Sequence, residues 1–199
     1  MNYNKKYLVV IVTLFIVSVN VSAQTRENQI RLRAAQRVGQ MCDYISLMAN
    51  PKEELDARQY YKAAAMNLFI ERGEPYEEDG RYKKGVLMEV TSVNRKNAYP
   101  KLIKSYFDGL MRLKYDVVQI STTEIAEMEV SKLRQTGDNK YVCTCYFEQA
   151  FCGYRDGRPI YKDITRKRVK CYVMVEQTED GEELIILLGD VTALDTRRI

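Results

Sequence analysis

Histidine is absent from the 199 residues, and so is tryptophan. Without imidazole the chain has no Ser-His-Asp or Cys-His catalysis, no imidazole zinc site and no imidazole proton shuttle near neutral pH. Acid or base work falls to Asp, Glu, Tyr, Lys or Cys, which removes most familiar hydrolase and metalloenzyme classes. An excess of one charge is also lacking. The 31 Lys and Arg stand against 27 Asp and Glu, a balance that does not call for nucleic acid as a partner. There is no internal repeat, no low-complexity tract and no CxxC pair. Beyond the N-terminus no apolar run approaches the roughly 20 residues a membrane-spanning helix needs.

What is present begins with targeting. Lys5 and Lys6 stand in an acid-free start, residues 7–19 form an apolar run of thirteen, and Val21-Ser22-Ala23 follows. That is the tripartite form of a secretory signal peptide, with cleavage expected after Ala23. The expected protein is exported, periplasmic or secreted, with no membrane span once the signal is cut. Residues 24–199 then form a single domain of ordinary size, with a net charge of +2. Five cysteines, Cys42, Cys143, Cys145, Cys152 and Cys171, are an odd number for an exported chain, so at least one thiol is free or pairs between chains. Cys143 and Cys145 share one strand face, where an easy bond is out of reach. Small core hydrophobes and a structural disulfide both fit the remaining spacing.

Along the chain helices come first and strands last. Ile30, Ala34, Val38, Met41, Cys42, Ile45 and Met48 recur at three and four residues, predicting a helix over 25–49 with one buried stripe. Asn50-Pro51, answered by Glu53, reads as the start of a second helix that ends at Gly73. Residues 74–84 read as a charged loop, 85–94 as a short strand, and 98–113 as a third helix with Ile103, Tyr106, Phe107, Leu110 and Leu113 inside. From there the period is two. Strands are predicted over 117–134, 140–153, 159–177 and 182–196, separated by Gly- and Asp-containing turns and forming an antiparallel meander.

This order, with Val86-Leu87-Met88-Glu89-Val90 before the third helix and Leu184-Ile185-Ile186-Leu187-Leu188-Gly189-Asp190 at the close, resembles the nuclear transport factor 2-like superfamily. That is the cystatin-like α+β cone shared by ketosteroid isomerases, scytalone dehydratase and polyketide cyclases. The resemblance covers nearly all of residues 24–199. It implies three helices packed on a strongly curved antiparallel sheet, with a cavity toward one end of the cone. It does not choose among enzymes, ligand binders, dimerisation modules and adaptors. The lack of histidine excludes the histidine-dependent members, and no spacing matches the Tyr and Asp pattern of the isomerases, so no catalytic residue, metal or cofactor is carried over.

A candidate pocket follows from register. A three-residue loop at Arg155-Asp156-Gly157 would pair Cys143 with Val169, Phe147 with Thr165, Gln149 with Asp163 and Phe151 with Tyr161. One face then carries Cys143, Cys145, Phe147, Phe151, Val169 and Cys171, and the other Thr144, Tyr146, Glu148, Arg166, Arg168 and Lys170. If the apolar row faces the helices, Gln149, Tyr161, Asp163 and Thr165 become polar groups among the aromatics Phe147 and Phe151, as a small-ligand site requires. The bland reading is a hairpin tip in water. Lys167 falls in the inner row, which argues for a bulge or shift nearby.

The remaining features have plainer expectations. Lys162, Arg166, Lys167, Arg168 and Lys170 form a basic strand whose charges cross-strand acids can neutralise. The acidic residues Glu74, Glu77, Glu78 and Asp79 lack calcium-loop spacing and read as a solvated connection. Leu184 to Leu188 is apolar at five successive positions, so both sheet faces need cover, from a second subunit in a homodimer through the sheet or from a long loop. The functional expectation is a non-enzymatic binding module holding a small ligand or an envelope protein. The alternatives are a cavity isomerase or dehydratase using Asp and Tyr, and a dimeric envelope scaffold.

Overall fold

The computed structural model describes residues 4–95, 97–179 and 181–198, with side chains from residue 24 onward. The signal-peptide reading of residues 1–23 lies outside the residues whose side chains are described. The elements in order are α1 (Asn4–Ala49), α2 (Leu55–Met66), β1 (Tyr76–Glu78), β2 (Arg81–Lys83), β3 (Leu87–Val90), β4 (Tyr99–Leu102) and α3 (Ile103–Leu110). They are followed by β5 (Val117–Thr122), β6 (Glu129–Val130), β7 (Arg134–Gly137), β8 (Lys140–Arg155), β9 (Arg158–Thr178) and β10 (Gly181–Arg198). The class is α+β. The main curved sheet runs β4-β3-β10-β9-β8-β5, with β6 and β7 continuing along β8, and β1 and β2 form a separate hairpin. Among the described residues no helix is long and apolar enough to cross a membrane.

The stripe predicted on the first helix is the core. Ile30, Ala34, Val38, Met41, Cys42, Ile45 and Met48 are all buried, each large aliphatic contributing about 2 kcal/mol of burial. Arginines beside the stripe fasten the helix to the sheet. Arg31 Nε donates to Val130 O at 3.1 Å and Arg37 Nε to Ile186 O at 3.0 Å. Arg58 Nε donates to Met48 O at 2.8 Å, satisfying a carbonyl that the end of α1 leaves open.

Several expectations are corrected. The Asn50 dipeptide makes a turn rather than a helix start: Asn50 Oδ1 accepts from Lys52 N at 3.1 Å, and α2 begins at Leu55. Residues 99–102 are an edge strand, not helix, because Pro100 biases Tyr99 away from helical geometry and its missing N–H is tolerated at an edge. The sheet is not wholly antiparallel, since β3 joins β10 in parallel through Met88 and Val191. No hairpin links those two strands, so nothing local dictates their relative direction.

The strand expected over 117–134 is three pieces, β5, β6 and β7, all laid on β8. Between β5 and β6 the chain leaves the ladder, and Thr123 Oγ1 accepts from Glu148 N at 2.8 Å in place of a backbone carbonyl. The excursion carries Ile125 against α1 where Gly39 leaves room, a Cβ there meeting Ile125 Cδ1 at 3.0 Å. The supposed solvated loop of residues 74–84 contains the β1–β2 hairpin, which lies on the outer sheet face. Glu78 accepts from Lys170 and Tyr172, and Lys83 Nζ meets Asp190 Oδ2 at 2.8 Å. This segment supplies part of the outer cover that β10 needs.

The β8–β9 register is corrected by two residues. The turn is the two-residue pair Asp156-Gly157, with φ of 50° and 72°, which suits a tight hairpin with positive φ at both central positions. Arg155 therefore faces Arg158, and a further slip between Gly153 and Tyr154 leaves Cys143 opposite Cys171, Phe147 opposite Lys167, Gln149 opposite Thr165 and Phe151 opposite Asp163. A two-residue error preserves the side-chain alternation. The predicted inner and outer faces therefore stand while every cross-strand partner changes.

Candidate ligand-binding cavity

The helices cover the sheet unevenly. α3 ends at Leu110, and beyond it the inner ends of β8 and β9 face the β3–β4 hairpin across a cavity of about 360 Å³. Its walls come from Thr91, Ser92 and Tyr99 on one side, Tyr106, Leu113 and Tyr115 on another, and the β8–β9 hairpin on the third.

Five of the six sequence-derived candidates, Gln149, Phe151, Tyr161, Asp163 and Thr165, line this cavity together. Phe147 does not. It is buried in the main core. Lys167 also lines the cavity. It stays on the inner face while the register slips beside it, between Ala193 and Asp195 of β10.

The polar groups form separate sets. Lys167, 7% exposed, donates from Nζ to Gln149 Oε1 at 2.8 Å. Burial pushes its ammonium down to about 8, with Cys42 and Asp163 opposing the fall. Asp163, 5% exposed, accepts from the Tyr161 hydroxyl, which also meets Ser92 Oγ at 2.9 Å. Burial raises the Asp163 carboxyl, while Tyr161, Lys167 and the Val93 backbone work against the rise. Thr165 Oγ1 lies 3.1 Å from Thr196 Oγ1, itself 3.3 Å from Thr91 Oγ1, a hydroxyl chain from β9 through β10 to the residue that follows β3. Glu89 is committed elsewhere, its Oε2 accepting from Ala193 N at 3.0 Å beside the slip in β10.

The apolar wall is aromatic. Tyr115 and Phe151 meet edge to face at 5.7 Å, and Phe151 and Tyr161 do so at 5.8 Å, the geometry that ring quadrupoles favour. Gly153 makes the first contact possible, since a Cβ there would lie 2.5 Å from the Tyr115 ring. The Arg95 guanidinium lies 4.4 Å from the Tyr99 ring centre, and Lys101 Nζ 5.4 Å.

The contributions of Ser92, Arg95, Tyr99, Tyr106 and Tyr115 were not legible as site residues. Only Lys167 left a trace, as a charge in an apolar row. Among the described residues no group of His, Cys, Asp and Glu side chains is placed to hold a metal ion. The arrangement can enclose a small apolar body and meet it with an ammonium, an amide, a carboxyl and hydroxyls.

No protein-family model matches the chain, and no curated protein matches it in sequence. Among solved structures it is similar to the Kfla4162 protein from Kribbella flavida, at 12% identity and a TM-score of 0.37, over 83% of this chain and 93% of that one. A likeness of that size carries no argument about function.

Proposed function

We propose that the chain is an exported, non-enzymatic binding module of the nuclear transport factor 2-like type that holds a small, mainly apolar molecule in the cell envelope. The observation that carries this reading is the cavity of about 360 Å³ in which Gln149, Asp163, Thr165 and Lys167 are gathered between aromatic walls. Polar groups buried without need cost stability, and a ligand gives them a purpose. The element order, with helices before a curved sheet of long strands, supports the family reading, and the N-terminal tripartite segment supports export.

The test uses indole as probe and Gly109→Phe as a plug. Gly109 lines the cavity, and a Cβ there meets only Lys101 Nζ at 3.9 Å, so the substitution starts without a clash at the cavity wall. Saturation-transfer NMR should show indole bound to the native chain and not to G109F, with both folded by circular dichroism. Equal signals from the two proteins, or none from either, would remove the reading.

A second reading, a cavity enzyme working with Asp and Tyr, is favoured by one observation, the hydrogen bond from Tyr161 to the buried Asp163. A carboxyl raised by burial beside a phenol is suited to proton transfer at carbon. Solvent-deuterium uptake into a cyclic enone, lost in Asp163→Asn, would favour this reading over simple binding.

A further inference from the structure

We propose that the cavity selects ligands carrying a carboxylate, which Lys167 and Gln149 receive side by side; the proposal rests on the ligand-binding reading above. Lys167 is a cation held inside the fold by a neutral partner. Its hydrogen bond goes to an amide oxygen rather than to a carboxylate, and a buried ammonium without an anionic partner is destabilising.

The amide beside it is also incomplete. An ammonium only donates, so Gln149 must turn Oε1 toward Lys167 and its NH2 group away. Gln149 Nε2 is buried and has no hydrogen-bond partner among the described residues, and Gln149 as a whole is 7% exposed. An unmet buried donor of this kind is destabilising. Lys167 therefore has a neutral acceptor and no anionic one, its neighbour Gln149 Nε2 has no acceptor among the described residues, and both residues line the cavity. A planar carboxylate has two oxygens, accepts from both and neutralises the ammonium.

The nearest internal acid is already engaged. Asp163 accepts from the Tyr161 hydroxyl and from the Val93 backbone, so it contributes field at Lys167 without closing on it. Arg95 and Lys101, both on the cavity wall, add positive potential that draws anions inward. The rings of Tyr106, Tyr115, Phe151 and Tyr161 would receive the body of the ligand. The volume is at the small end of ligand sites, which run from roughly 300 to 1,000 Å³, so that body is one or two rings.

The probes are trans-cinnamate and its neutral isostere cinnamamide, measured by calorimetry on the full chain. At pH 7 cinnamate should bind at least tenfold more tightly than cinnamamide. Lys167→Met should lose that preference and keep the affinity for cinnamamide. Gln149→Glu supplies an internal carboxylate to Lys167 and should abolish cinnamate binding in a folded protein.

At pH 9 binding should take up close to one proton in the native chain and none in K167M, read from heats in two buffers. Four groups face Lys167: Cys42 of α1, Tyr106 of α3, Gln149 of β8 and Asp163 of β9. Of these Gln149 does not titrate. Burial carries Cys42 to about 12 and raises Tyr106, and it raises Asp163 from an ordinary 3.8. The proton taken up at pH 9 is thus assigned to the amine. Cinnamamide binding as well as cinnamate, or a preference that survives K167M, would overturn the carboxylate proposal and leave the cavity reading standing. Silence from both probes while indole binds also overturns the proposal alone, whereas silence from all three removes the reading beneath it.

Discussion

Glu78 and Lys170, far apart in sequence, are joined by a hydrogen-bonded ion pair that fastens the β1–β2 hairpin to the outer face of β9. Tyr172 donates to the same carboxylate, and Lys83 Nζ lies 2.6 Å from its other oxygen. Burial alone would raise the Glu78 carboxyl, yet these hydrogen bonds outweigh it and hold the group at about 2, against an ordinary 4.5. A carboxyl lowered by folding stabilises fully above its unfolded value and loses that contribution as pH falls toward the folded one. Glu78→Gln should therefore cost about 1–3 kcal/mol near neutrality. The difference from the native chain should close between about pH 4.5 and 2, as urea unfolding at stepped pH would show.

Folding disfavours the charged form of Lys167, whereas it favours that of Glu78. Its folded value of about 8 lies below the ordinary 10.5, so the unfolded chain binds more protons between those limits. The native chain should gain stability relative to K167M as pH rises from 8 toward 10.5, by up to roughly 3 kcal/mol. Taking the difference between the two proteins cancels the tyrosines and thiols that titrate in the same range. Parallel curves for the two proteins would show that Lys167 is not buried as described.

Gly153→Ala tests the aromatic wall. The added Cβ would stand 2.5 Å from Tyr115 Cε1, so the ring has to leave its contact with Phe151. The expected loss is about 1–3 kcal/mol in urea unfolding, together with weakened indole binding by saturation transfer. Unchanged binding would take Tyr115 out of the site.

All five cysteines are free and buried. Ellman titration should find five thiols in guanidinium and only slow reaction in native buffer, at a rate set by opening of the fold. A count of three would point to Cys143 and Cys171, which face each other directly across β8 and β9.

The stripe on α1 was readable because helical periodicity reports which positions meet an apolar surface. The inner face of the β8–β9 hairpin was readable for the equivalent reason at period two. Pairing was not. The Asp156-Gly157 turn and the slip at Gly153 differ from the expected loop by small backbone choices, and only their sum decides whether Gln149 meets Asp163 or Thr165. The charged segment of residues 74–84 looked solvated because its docking partners, Lys170, Tyr172 and Asp190, lie far along the chain.

The missing histidine, the helix-to-strand order and the alternation of inner residues belong to the chain as a linear string, because composition and period are local quantities. The cavity does not. It exists because α3 stops short of the sheet's end, β3 lies beside the last strand, and Pro100 turns the expected start of a helix into an edge strand. Burial then sets a lysine against a neutral amide whose own NH2 group is unmet among the described residues. No sequence window contains that environment, since it is made by side chains from three separate parts of the chain that meet only when the sheet curves around them.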